Sequence, residues 1–386
     1  MKKMILTAAG ACCAAAAFKL LTPVRAEAWF SAAHKQLTEE ALDLLEREGK
    51  LKQLAFYKPY SEQLMKGCVD PDLDGDPDKG SGTHYYSVAL PKGKALPQKD
   101  GYFPNRLGSY SRSARTSMEE NYAAALLLFR AGKTEQSMYA LGRAVHFLED
   151  VACPVHTANM QYKKKPNNPH YAFEKLANTI VGKYKPDKYD KRLNKSYSGI
   201  SFENPLNKLA AASNKHAGMV ARLDPKAFEN AVREMAPLAA QNVMGLLLRF
   251  YDESRSETGF LPADGKRYAL RNEGSGMVIT VTPKCLTLEP SDKTKEQKLT
   301  FMMSDMGSFG FKTVEGGYVT GDLKGYEYPK RGTEASQFRL APLGSNRWRI
   351  TTKASGYSKA LACTRSGALT AAEFIPGDKN MVWAIL

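Results

Sequence analysis

Five of the six histidines in this 386-residue chain precede residue 175, and each stands near a carboxylate at a spacing that secondary structure can use. His146 and Asp150 are i,i+4 neighbours in a segment of helical periodicity, so both side chains can face one point. His170 and Glu174 repeat that spacing, and His156 follows Pro154 just past the end of the first of these helices. Asp72 and His84 share a Gly/Asp/Pro-rich loop, and His34 precedes the first predicted helix. Taken singly, such a pair is most simply a surface ion pair or a satisfied core histidine. Taken together, imidazole and carboxylate groups at these spacings form the donor set that zinc binds at about 2.0–2.2 Å.

From residue 29 to about 256 the chain reads as helices joined by polar loops. Apolar periodicity predicts helices over Thr38–Glu48, Met118–Ala131, Glu135–Val151, His170–Tyr184 and Phe228–Tyr251. After Gly259 the texture changes to short alternating runs rich in β-branched and aromatic residues. These predict strands over Met277–Thr282, Thr300–Met303, Phe338–Leu340, Trp348–Thr352 and Val382–Ile385. Aromatic spacings within them suggest a repeat of roughly 37–45 residues. The expected architecture is an all-α helical-bundle domain over 29–256 followed by a small all-β domain over 260–386. A β-trefoil is the first reading of that second domain and a β-sandwich the second.

Lys2 and Lys3, an apolar run from Met4 to Phe18 and the small-residue site Ala26-Glu27-Ala28 predict a secretory signal over residues 1–28. The run is shorter than the roughly 20 residues needed to span a bilayer. Cleavage would make Trp29 the first mature residue and place the protein outside the cell or in the periplasm. Loss of Lys2, Lys3, Lys19, Arg25 and Glu27 lowers the formal charge from +15 to +12. A charge of that sign favours anionic surfaces, whether phospholipid or nucleic acid. Cys68, Cys153, Cys285 and Cys363 remain, and one disulfide per domain, Cys68–Cys153 and Cys285–Cys363, is the preferred pairing among three.

Several of these segments resemble the bacterial zinc-dependent phospholipases C of the clostridial alpha-toxin and Bacillus group. Gly67-Cys68-Val69-Asp70-Pro71-Asp72 resembles the family's G-x3-P-D. Leu141-Gly142-Arg143-Ala144-Val145-His146, with Asp150, Pro154, His156 and Ala158-Asn159, resembles its L-G-x-A-x-H-x3-D-x3-P-x-H-x-A-N. His170 with Glu174 resembles its H-x3-E. The family's mature N-terminus is a tryptophan that binds zinc through its amino group and carbonyl, which fits cleavage before Trp29. The resemblance implies three zincs per chain. One is held by Asp72, His84, His146 and Asp150, a second by His156, His170 and Glu174, and a third by Trp29, His34 and the bridging Asp150. It also implies that Asp72 orients or deprotonates the attacking water, and that the products are diacylglycerol and a phosphorylated headgroup.

The sequence departs from the family at two places. Choline-cleaving relatives carry aromatic residues at the positions of Leu73 and Ser81, and the segment 260–386 lacks the aspartate cluster of a calcium-binding lipid sandwich. Fungal single-strand zinc nucleases share the fold and the W-x4-H spacing of Trp29 and His34. They carry His-Gln where this chain has Ala152-Cys153, however, and an aspartate in place of Glu174. An adhesin with structural zinc is the non-enzymatic alternative. The expected partners are phospholipid headgroups, a membrane surface and a glycan or lipid for the β domain, with no nucleic acid and a monomeric chain. Because every ligand precedes residue 175, the helical domain alone is expected to hydrolyse a soluble substrate. The run Asp70–Asp78 begins like a calcium loop but has Ser81 where a twelfth-position glutamate belongs. Lys163–Lys165 lie between His156 and His170 where they can meet phosphate or solvent, and His216 reads as an ordinary helix residue.

Overall fold

The computed structural model describes residues 30–386, apart from 80–81, 88–100, 105–109, 200, 257–260, 284, 305–306, 324–325, 328–335 and 345. The signal segment, Trp29 and Ser81 lie outside the described residues. No helix among the described residues is long and apolar enough to cross a membrane.

The first domain is helical. Its elements are α1 Phe30–Arg47, α2 Leu51–Tyr57, α3 Ser61–Val69, α4 Ala114–Arg130, α5 Thr134–Val151, α6 Pro154–Thr157, α7 Pro169–Ile180, α8 Arg192–Tyr197, α9 Glu203–Asn214, α10 Ala217–Val220 and α11 Pro225–Arg255. Local chemistry sets several of the starts. Ser113 and Thr116 form a reciprocal capping box at α4, and Asn168 and Asp224 cap α7 and α11, each followed by proline in the first turn. The first helix begins earlier than predicted, so His34 lies inside α1 rather than ahead of it. Thr38 does not cap anything. It is buried, and its hydroxyl donates to Glu149 Oε1 at 2.9 Å.

The apolar stripe of α11, including Val232, Met235, Ala239, Val243 and Leu246, is buried against α1 and α7. Each fully buried aliphatic side chain of this kind contributes about 1.5–3 kcal/mol. Helices α3 and α5 approach until their backbones touch. A Cβ added at Gly142 would lie 2.1 Å from Leu64 O, and one at Gly67 would lie 2.0 Å from Tyr139 O. Only glycine at both positions permits this crossing, which sets the end of α3 against the middle of α5.

The short pair β1 Phe103–Pro104 and β2 Tyr110–Ser111 precedes α4. The second domain is antiparallel β, with β3 Arg267–Tyr268, β4 Leu270–Asn272, β5 Val278–Val281, β6 Leu286–Glu289, β7 Leu299–Met303, β8 Phe309–Lys312, β9 Tyr318–Val319, β10 Tyr326–Glu327, β11 Phe338–Pro342, β12 Arg347–Thr352, β13 Lys359–Cys363, β14 Leu369–Glu373 and β15 Trp383–Ile385. Pairing runs β3–β7–β8–β11–β12–β15–β4. Since β3 and β4 are consecutive pieces separated by Ala269, the ring closes. Three hairpins, β5–β6, β9–β10 and β13–β14, spring from this ring after β4, β8 and β12. The interior is aromatic: Phe301 and Phe309 stack at 4.4 Å, and Phe311, Phe338 and Trp383 are buried beside aliphatic Ile350.

The expected disulfides are absent, and all four cysteines among the described residues, Cys68, Cys153, Cys285 and Cys363, are free. Cys68 Sγ turns back along α3 to donate to Met65 O at 3.0 Å. Cys363 lies on the β13–β14 hairpin and Cys285 at the start of β6, where their sulfurs contact Thr364 O and Thr282 Oγ1.

Candidate metal centre

Six elements of the helical domain meet at one buried point. Helix α5 supplies His146 and Asp150 one turn apart, α6 supplies His156, and α7 supplies His170 and Glu174 one turn apart. Helix α1 supplies His34, a 3-10 turn over Asp70–Asp72 supplies Asp72, and the turn that follows supplies His84. All eight side chains are buried. Pro154, which opens α6, cannot continue α5, so the chain turns and His156 returns toward Asp150 instead of continuing along the helix axis.

Asp150 sits at the centre. Its Oδ1 lies 3.7 Å from His34 Nε2 and 3.6 Å from His156 Nε2. Its Oδ2 lies 2.9 Å from His84 Nδ1 and 3.4 Å from His146 Nε2. Asp72 Oδ1 stands 3.6 Å from His84 Nδ1 and 3.8 Å from His146 Nε2. On the other side Glu174 Oε1 lies 3.1 Å from His156 Nε2 and 2.8 Å from His170 Nε2. Three groups therefore present donors close enough to share an ion: Asp72 with His84 and His146, Asp150 with His34 and His146, and Glu174 with His156 and Cys153. Cys153, expected in a disulfide, instead turns its sulfur toward the third group.

The imidazoles are oriented from behind. His146 Nδ1 donates to Cys68 O at 2.9 Å, the contact that the α3–α5 glycine crossing creates, and His170 Nδ1 donates to Met160 O at 2.6 Å. A carbonyl can only accept, so both rings carry a proton on Nδ1 and turn Nε2 inward. His34 Nδ1 meets Glu149 Oε2 at 2.6 Å, and its ring stacks on His146 with centroids 4.1 Å apart.

Electrostatics favour the ligand form at some of these positions. Burial lowers His34 and His170, but Glu149 and Glu174 respectively outweigh it and raise them, so these two rings must give up a proton to bind an ion. Burial pushes His146 well below the usual imidazole range, and neighbouring His34 and His84 push the same way, so the ring is neutral at pH 7. Burial alone raises Asp150, but His156, His146 and His84 outweigh it and hold the carboxyl below its ordinary value. Glu174 is likewise lowered, because His170 and His156 overcome burial. Glu149 is raised to about 7 by burial, against the opposing hydrogen bond with His34.

The donor set fits zinc. His34 Nε2 and Asp150 Oδ1 are both buried, have no hydrogen-bond partner and face one another, and His84 Nε2 and His156 Nδ1 are likewise without one. Neutral imidazole nitrogens and ionised carboxylates at such a point form a cation site and not an apolar core. Glu149, which contacts His34 from behind the cluster, is a residue that sequence reasoning missed. Its signal is a carboxylate beside Asp150 on the same buried helix face as Leu148 and Val145, where a charge needs a partner. His216 pairs with Glu234 at 3.2 Å and joins none of the three groups, and Lys163–Lys165 are exposed.

Residues 33–224 match the family model described as "Zinc dependent phospholipase C". A phospholipase C of Listeria monocytogenes is 25% identical over 131 residues, which span 33% of this chain and 40% of that protein's length. The alpha-toxin of Clostridium perfringens from an avian strain aligns over 94% of this chain and 99% of its own at 13% identity, with a TM-score of 0.47. The alpha toxin of Clostridium absonum aligns over 92% and 95% at 15% identity, with a TM-score of 0.46. Through its helical domain, this chain belongs to the zinc-dependent phospholipase C family.

Proposed function

We propose that this chain is a secreted, monomeric phospholipase C that cleaves the glycerol-side phosphodiester of phospholipids at a centre of three zincs. The observation that carries the reading is the convergence of Asp72, His84, His146, His34, Asp150, His156, His170 and Glu174 on one buried point. Asp72, His84, His146 and Asp150 would hold one zinc, and His156, His170 and Glu174 a second. Trp29, which lies outside the described residues, would hold the third with His34 and Asp150. When bound, zinc makes water a nucleophile near neutral pH and offsets negative charge on the phosphate.

The chain's own residues do the rest. Asp72 accepts a proton from the attacking water, whose oxygen bonds to phosphorus as the bond to the glycerol oxygen breaks and that oxygen takes a proton. Asp150, reaching four imidazoles through its two oxygens, fixes the spacing of the groups. We read residues 260–386 as a β-trefoil, from the closed ring and its three hairpins, with a glycan or lipid as its ligand.

The test is hydrolysis of choline, ethanolamine, inositol and sphingomyelin lipids by zinc-loaded mature protein, with single-stranded DNA alongside and a chelator control. Lipid hydrolysis that a chelator abolishes is the expected result. Cleavage of DNA without lipid turnover would make the chain a nuclease, and inactivity on both with zinc retained would favour the adhesin.

A further inference from the structure

Two carboxylates lie buried between the domains, and both are held by arginines from each side. Asp78, midway in the chain between Asp72 and His84, accepts at Oδ2 from Arg143 Nη2 at 2.7 Å and from Asn121 Nδ2 at 3.3 Å. Its Oδ1 accepts from Arg112 Nη2 at 3.3 Å and, across the domain boundary, from Arg339 Nη1 of β11 at 2.7 Å. Glu120 of α4 accepts from Arg112 at 2.6 Å and from Arg349 of β12 at 2.6 Å. The side chains of Asp78 and Glu120 have no solvent exposure.

The domains meet tightly here. Gly307, in a turn with φ +74°, approaches α4 so closely that a Cβ would lie 2.8 Å from Ala124 Cβ. The Arg339 guanidinium lies 4.0 Å over the Tyr357 ring, so it arrives already fixed in direction.

This network leads to the metal groups by a short path. Arg143 stands one turn before His146 on α5 and also grips Asp76 through both nitrogens, at 2.7 and 2.6 Å. The Asp78 carbonyl accepts the hydroxyl of Thr83, the residue before His84. The aspartate-rich run that begins like a calcium loop thus gives two of its carboxylates to arginines, and through them the segment bearing Asp72 and His84 is tied to both α5 and the β domain.

We infer that the β domain is a positioning element of the metal centre, and that Arg339, through Asp78, holds the Asp72–His84 segment in its ligating place. Without Arg339, a buried carboxylate loses its cross-domain partner, and the segment relieves the loss by moving toward solvent. The helical domain would then be an incomplete enzyme, contrary to the expectation that it acts alone on soluble substrate. The metal half of this inference rests on the zinc reading above, and the loop half does not.

The experiment uses full-length protein and the variants Arg339→Met, Arg339→Lys and, as control, Arg347→Met, whose arginine pairs with Glu273 inside the β domain. Hydrogen exchange on the metal-free proteins reports the segment, and competition with a chelator reports zinc retention. Expected for Arg339→Met is about 10-fold faster exchange across 70–84, with no change across 150–174, and about 10–100-fold weaker retention of one zinc per chain. Arg339→Lys should fall between, and Arg347→Met should match wild type. Equal exchange and equal retention in Arg339→Met, or uniformly faster exchange throughout the helical domain, would overturn the inference. If Arg339→Met fails to fold, Arg339→Lys decides by the same readings. Wild type that binds no zinc overturns the zinc reading, and the exchange comparison still decides the loop.

Discussion

Replacing Glu149 separates the donor groups from the residues that aim them. Its two oxygens are committed, one to His34 Nδ1 at 2.6 Å and the other to the Thr38 hydroxyl at 2.9 Å, with no solvent exposure at either His34 or Glu149. In Glu149→Gln the amide oxygen can still accept from His34, and the Thr38 hydroxyl can rotate to accept from the amide nitrogen, so the shape is kept and, above the value of about 7 to which burial raises Glu149, the charge is lost. A hydrogen bond to a charged group is worth about 1.5–3 kcal/mol, and a neutral one about 1 kcal/mol. The difference is about 0.5–2 kcal/mol, or roughly 2–30-fold in affinity for the ion that His34 ligates. Glu149→Ala goes further and leaves two buried polar groups unpaired, at about 1–3 kcal/mol each in stability. The assay is titration of folded protein with a zinc-selective chelator, monitored by circular dichroism, with metal content measured on the same samples. The expected outcome is one weakened metal in Glu149→Gln and a lowered unfolding midpoint as well in Glu149→Ala. Wild-type metal retention in Glu149→Gln would refute the view that this carboxylate orients His34.

Three other outcomes follow from the geometry. Gly142→Ala places a methyl 2.1 Å from Leu64 O, so α3 and α5 must separate; a loss of about 1–3 kcal/mol in urea unfolding is expected, with weakened metal binding as the Cys68 contact to His146 lengthens. Burial raises the Asp78 carboxyl, but Arg339, Arg143 and Arg112 outweigh it and hold it well below the usual range. A depressed folded pKa gives stability that is present above the unfolded value near 3.9 and lost as pH falls below it. Asp78→Asn should therefore cost about 3–5 kcal/mol at pH 6, about 1 kcal/mol less at pH 3, and progressively less as pH falls further toward the depressed folded value, measured as the difference in urea midpoint from wild type. A protein keeping one alanine before Trp29 should hold one metal fewer than protein beginning at Trp29, because an amide nitrogen is a poor ligand where a free amine is a good one. Elemental analysis of both forms, with mass spectrometry of the N-terminus, checks it.

Local pattern carried much of the architecture. The i,i+4 pairs His146–Asp150 and His170–Glu174 lie on single helices, and helical periodicity is a property of a few consecutive residues, so their shared faces were readable from spacing alone. The change to alternating short strands after Gly259 was readable for the same reason, and five predicted strands fall on β5, β7, β11, β12 and β15. The start of α1 was missed because Thr38 looks like a cap in one dimension, and only tertiary burial gives its hydroxyl to Glu149. The disulfides were misjudged because cysteine spacing says nothing about the direction of a sulfur. Cys68 points along its own helix, and Cys153 points to a carboxylate and a histidine.

The amino-acid sequence by itself determined the class of both domains and which imidazole and carboxylate side chains were candidates to come together. Those depend on residue type and on separations of a few positions. Only the tertiary structure decided that Asp150 stands between the groups, that Glu149 backs His34, and that Arg339 from the far end of the chain reaches Asp78. These contacts join residues up to 261 positions apart. Nothing in a local pattern encodes such a pairing, because burying a charge is costly until the whole fold brings its partner, and the cost is resolved only when both domains close on one another.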